Sequence, residues 1–505
     1  MKPTPTAAIV AAIAALALAL PAVTQAGQPP RAAADPDRPI SHRDRIYAAE
    51  QFSNTVSVTD PASNEVLGMI RLGEPTPANF SPLYKGQLLV HGLGFSPDGR
   101  TLAVVSIGSN SVSFIDTQTN AVRHVTYLGR SPHEAFYTRD GKEVWVTVRG
   151  EDYVAVIDAA TYREKTRIAV PAGPGMQIFS PDGKYGYVCS SFQPRTSVVS
   201  VAEHKVIATI EQTSAFCPNI AATPDGKQVW FTLKDIGKVQ VFDARPPFAP
   251  IRTIDTGPIT NHVNFVRNRN GQFAYVTVGG TNEVKVFRTD DFSQVATIPV
   301  GKLPHGLWPS GDGSRIYVGL ENEDALAAID TLSQRVVATI PVGQAPQAVV
   351  YVPDAVRQGD GRQNLQPAGS IARATQLSLV PVAAGGSEQA QQAQQAQQVQ
   401  PAQQAPTSVA LFDQGLVQVL QASATGLQPK QAYVLGLAER ADGGGRIEPL
   451  ARFMANPAGS AIVNTVGPIR QLVAGGGERQ EARRYLVIAP VTDAGIGTPV
   501  QRQVP

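Results

Sequence analysis

The fold is decided by a short turn that returns five times: Ser96-Pro97-Asp98-Gly99, Thr138-Arg139-Asp140-Gly141, Ser180-Pro181-Asp182-Gly183, Thr223-Pro224-Asp225-Gly226 and Ser310-Gly311-Asp312-Gly313. A weaker copy ends at Gly271, and a last one reads Val352-Pro353-Asp354. The interval is roughly 42 to 45 residues, the length of a four-stranded propeller blade. Working outward from each turn, an alternating run of β-formers follows, such as Leu102 to Ser106, Val144 to Val148 and Ile316 to Leu320. A polar turn comes next (Gly108-Ser109-Asn110, Gly280-Thr281-Asn282), then a third run ending in Asp, as in Val112 to Asp116 and Val154 to Asp158. A fourth run, such as Val336 to Ile340, completes the unit. Turn residues that tolerate left-handed backbone separate runs that need none, which is hairpin chemistry.

The chain enters this repeat out of phase. Ile46 to Glu50 reads as a second strand with no first strand before it, and the missing inner strand is Gln347 to Val352, some 300 residues later. Pairing the two ends in one blade would close a ring and leave no open edge. Inner strands beginning at His91, His133, Gly175, Pro218, His262, His305 and Gln347 give seven blades. Tyr275 to Val278, Val284 to Phe287 and Val295 to Gly301 resemble, in order and spacing, the YVTN-type β-propeller repeat family. The resemblance spans about residues 43–356 and implies a secreted or periplasmic seven-bladed propeller without fixing an activity.

Residues 1–26 combine Lys2, an apolar run from Ala7 to Leu20 and small residues up to Ala26, which reads as a signal peptide. The expected location is therefore the periplasm or outside the cell. An extension over 27–42 precedes the propeller. A polar, Pro/Gly-rich linker over 357–374 follows it, and 375–505 is expected to form a small β-sandwich-like domain with a Gln/Ala-rich insert at 387–405. The whole chain is read as all-β. Its 43 basic and 41 acidic residues leave almost no net charge, so nothing draws it as a whole toward nucleic acid or anionic membrane, and no apolar stretch beyond the leader is long enough to span a bilayer. Its two cysteines, Cys189 and Cys217, are expected to form a disulfide after export.

Antiparallel order places the start of each inner strand and the end of each second strand on one face of the ring. That face should carry His91, His133, His262 and His305, able to bind a ligand or a transition metal. Glu50, Arg149, Lys234 and Glu321 form its expected charged rim. The segment Glu74 to Leu88, with Phe80, Tyr84 and Lys85, is extra relative to the other repeats and reads as a lid or partner contact on the same face. There is no Cys-x-x-Cys-His haem attachment, and the few histidines and cysteines do not supply a copper-reductase set. The expected function is a non-catalytic module binding a small molecule or a protein partner, with no required cofactor. The alternative is a lactonase-like hydrolase or metal-dependent enzyme sited in the channel and using the four histidines.

Overall fold

The computed structural model describes residues 39–73, 88–370, 373–382, 406–414, 417–467, 469 and 483–504. Residues 1–38, which include the expected signal peptide, residues 74–87 of the additional loop and the Gln/Ala tract lie outside this set. Seven four-stranded antiparallel sheets stand around an axis, so the all-β propeller read from the turns is present. Blade one pairs Pro346–Val352 with Arg45–Glu50, Thr55–Asp60 and Glu65–Arg71, and the register Tyr47↔Val350 closes the ring across 303 residues. Blades two to seven follow in chain order, with inner strands Val90–Phe95, Pro132–Tyr137, Pro174–Phe179, Ile220–Ala222, Thr260–Asn268 and Pro304–Pro309.

The repeated turn has one physical role. In each copy the Ser or Thr hydroxyl donates to the Asp two residues on, at 2.5 to 2.7 Å, and the following Gly takes a left-handed φ of 67° to 73°. A side chain at that Gly would strain the backbone. The Asp that ends a third strand acts in a parallel way. Asp116 accepts the Thr119 amide at 2.7 Å and Asp158 the Thr161 amide at 2.8 Å, which turns the chain into the outer strand. Inner strands such as Val90–Phe95 and Pro132–Tyr137 are fully buried, whereas outer strands such as Val122–Tyr127 are largely exposed. The apolar core therefore lies between neighbouring blades, held by residues such as Trp145, Tyr187, Trp230 and Phe231.

After Val352 the chain becomes a strap. Met69 and Gln366 exchange backbone hydrogen bonds at 2.9 and 2.8 Å along the outer edge of blade one. Arg45 donates to the Asp360 carbonyl, and Asn120 to those of Gly361 and Gln363. The strap delivers the chain to the second β-domain, a nine-stranded sheet. Eight strands lie in the spatial order Ile447–Met454, Ala432–Ala438, Tyr485–Thr492, Gln501–Gln503, Thr375–Pro381, Thr407–Asp413, Gln418–Ala424 and Ala461–Gly467, and Gly495–Ile496 pairs on the side. The sheet curls until its ends meet, where Thr465 donates to the Leu450 carbonyl at 3.3 Å, around a core that includes Leu411, Leu435, Leu437 and Ile488. Among the described residues no helix is long and apolar enough to cross a membrane.

Candidate functional site

The histidine positions come together because of a repeated irregularity. The pairing of inner with second strand slips between Val90 and Leu93, Pro132 and Ala135, Thr260 and Val263, and Pro304 and Leu307. Each slip is a β-bulge at the top of the channel, and a bulge re-aims side chains that strict alternation would separate. His91, His133, His262 and His305 all lie in these bulges and are all buried. Their rings form a chain, with centroids 4.3 Å apart for His133 and His91, 6.0 Å for His91 and His305, and 4.8 Å for His305 and His262. Close approach of the blades depends on glycine: a Cβ on Gly92 would lie 2.2 Å from the His133 carbonyl, and one on Gly306 2.3 Å from that of Gln347.

The four imidazoles are not equivalent. His262 Nδ1 faces Asn219 Nδ2 at 3.3 Å, and His305 Nδ1 pairs with a Glu321 carboxylate oxygen at 2.9 Å. His91 Nδ1 and His133 Nδ1 are buried with no hydrogen-bond partner among the described residues. Burial, with the neighbouring imidazoles and Arg149, pushes His91 down to about 3 and holds His133 well below the ordinary imidazole value. Beside them lies a residue that strict strand alternation hides. Glu134 is buried in the same bulge as His133, and burial raises its carboxyl to about 8 against a hydrogen bond from the Leu93 amide. One ligand atom from each of His91, His133 and Glu134 lies within 4.8 Å of the others.

The second β-domain covers this face. Phe412 packs on Phe52 with ring centroids 4.6 Å apart. Gln421 donates to Glu321 at 2.6 Å, Asn322 to the Ser408 hydroxyl at 3.1 Å, and Gln414 to the Phe52 carbonyl at 3.0 Å. The Ala374 amide donates to Asp324 at 2.7 Å, and the Ala458 amide to the Asp235 carbonyl at 3.1 Å. Between lid and propeller is a cavity of about 470 Å³, whose floor includes His91, His133, His305 and Asn261, and whose roof includes Met454, Asn456, Ser460 and Asn464.

Three of the four expected rim residues line it: Arg149, Lys234 and Glu321. Arg149 lies over the rings of Phe192 and Phe216 at 5.5 and 5.4 Å, and Lys234 over Phe216 at 5.9 Å. Burial lowers the pKa of both cations. Burial would raise Glu321, but His305 and Lys234 outweigh it and hold the carboxyl at about 2. Glu50 is placed elsewhere. It is fully buried at the end of blade one, accepting from Thr55 at 2.5 Å and from the Ser57 amide at 3.1 Å, and it does not line the cavity. Cys189 and Cys217 form a disulfide between blades four and five, next to the wall residues Phe216 and Pro218.

The fold and site define a β-propeller whose histidine face is roofed by a second β-domain. No family model matches the chain. It is 24% identical over 288 residues to Protein NirF of Pseudomonas aeruginosa, an alignment covering 53% of this chain and 70% of that one. To Protein NirF of Stutzerimonas stutzeri it is 24% identical over 162 residues, 29% of this chain and 41% of that one. Among solved structures, a chain of Kuenenia stuttgartiensis hydrazine synthase superposes with a TM-score of 0.49 at 22% identity, covering 53% of this chain and 90% of that one. A functionally unknown protein from Desulfotomaculum acetoxidans gives 0.50 at 14% identity, covering 60% and 98%, a likeness of fold.

Proposed function

We propose that this protein is an exported, YVTN-type propeller that acts as a non-catalytic binding module and holds a small anionic molecule in the cavity beneath its second β-domain. The carrying observation is that two cations, Arg149 and Lys234, line this cavity with the carboxylate of Glu321, which His305 already pairs, while Arg149 is left without a counter-ion among the described residues. A partly buried cation without a counter-ion is costly, and an anionic ligand would supply the missing charge. A cavity of about 470 Å³ falls in the range that binds small molecules. The orphaned amide of Asn261 adds a donor and an acceptor for the polar part of such a ligand. A disulfide between neighbouring blades suits an oxidising compartment, which favours the periplasm or the exterior.

The test is thermal unfolding of the full chain against a panel of di- and tricarboxylates and phosphate monoesters, with calorimetry on any hit. Wild type should gain stability as ligand concentration rises, following mass action. An Arg149→Ala/Lys234→Ala variant that still folds should lose the gain. The reading is overturned if no anion stabilises wild type, or if the double variant responds equally.

A further inference from the structure

We propose that His91, His133 and Glu134 form a binding site for one divalent first-row transition metal between the floor of the cavity, which the two histidines line, and the smaller space among the inner strands, which Glu134 lines. This site does not depend on the cavity holding an anion. Two imidazoles and one carboxylate are a donor set suited to zinc or ferrous iron, leaving coordination positions open. The three ligand atoms, one from each side chain, already lie within 4.8 Å of one another. Bonds of about 2.0–2.2 Å to a common ion place its ligands within roughly 4 Å of one another, so closure asks for side-chain movements of about an ångström.

Three further observations single out this trio from the ring of four histidines. His305 has its Nδ1 engaged by Glu321, while the Nδ1 atoms of His91 and His133 have no partner among the described residues; His262 Nε2 is also without one, but His262 lies outside the group whose ligand atoms come within 4.8 Å of one another. Glu134 is buried beside them and makes no ion pair among the described residues, so its carboxyl is open to a dication as partner. Gly92 leaves the space for it: a Cβ there would stand 2.8 Å from the Glu134 carboxylate oxygen Oε2. The bulge from Pro132 to Ala135 brings His133 and Glu134, neighbours in sequence, to one centre.

The experiment uses the full chain, free of any histidine tag and stripped with chelator, titrated with Zn(II) by calorimetry and with Co(II) by visible ligand-field absorption. One ion per chain is expected. Glu134→Gln, which preserves shape, and His133→Asn should each weaken binding at least about a hundredfold, whereas His262→Asn should bind as wild type does. Cooperative unfolding of each apo variant checks the fold, and Glu134→Asp takes over if Glu134→Gln does not fold. Sub-stoichiometric binding to wild type would overturn the assignment. So would unchanged binding on altering Glu134, or an equal loss in His262→Asn, which would shift the site to the wider histidine ring.

Discussion

Glu321 joins the two domains and the histidine ring, so replacing it tests the reasoning at one atom pair. Its carboxylate pairs with His305 at 2.9 Å and accepts from Gln421 of the lid at 2.6 Å, at 4% exposure. The drop from an ordinary 4.5 to about 2 corresponds, at about 1.4 kcal/mol per tenfold change in ionisation, to stabilisation on the order of 3 kcal/mol. Removing one partner of a buried pair costs about 3–5 kcal/mol by mutational precedent, which brackets the same figure. Because the folded value is depressed, this stability is fully present above the unfolded value and is lost as pH falls through about 2. Urea unfolding of Glu321→Gln at pH 7 should show a loss of roughly 3 kcal/mol, with about half of it remaining near pH 3. A double-mutant cycle with His305→Asn should return most of the loss as coupling energy. A loss below about 0.5 kcal/mol at pH 7, or one independent of pH, would refute the account.

Burial raises Glu50 to about 7 against its hydrogen bonds, so its contribution has the opposite sign: full below the unfolded value near 4.5 and lost as pH rises toward 7. Relative to Glu50→Gln, wild type should lose on the order of 3 kcal/mol between pH 4.5 and 7.5, measured as the difference in urea unfolding between the two proteins; parallel profiles would sink the idea. The Cys189–Cys217 disulfide joins residues 28 apart, and its reduction should cost about 3–4 kcal/mol on the chain-entropy model. A reductant should therefore lower the denaturation midpoint of wild type and leave a Cys189→Ala/Cys217→Ala variant unmoved.

The propeller was legible because each blade repeats its own local turn chemistry, so the hydroxyl-to-Asp hydrogen bond and the left-handed Gly recur at a fixed period. The out-of-phase start at Ile46 announced ring closure for the same reason. The second β-domain could be placed in the chain, but its position over the histidines could not, since Gln421 to Glu321 and Phe412 to Phe52 are contacts between sequences sharing no pattern. Strand Ile447–Met454 is hard to see in the sequence because its alternation is interrupted by Pro449 and its side chains are divided evenly between partly buried and exposed. Glu134 was hidden by the rule that neighbouring strand residues face opposite ways, a rule the bulge at Pro132 to Ala135 breaks. Glu50 looked like a rim charge because its position matches Glu321, but no periodicity reports that Thr55 and Ser57 enclose it.

The closure of blade one by Pro346–Val352 imposes an order of events on folding. Blades two to seven are each contiguous hairpins and can form as the chain emerges, but as an open arc with unsatisfied edges. Only when Val352 becomes available can the arc become a ring, and only then does the strap from 357 to 370 find Met69 and Asn120 to lie against. The second β-domain sits on the same place: Phe412 packs on Phe52 of blade one, and Gln421 and Ser408 meet Glu321 and Asn322 of blade seven, so blade one, which holds the closing seam, and its neighbour blade seven also carry the roof.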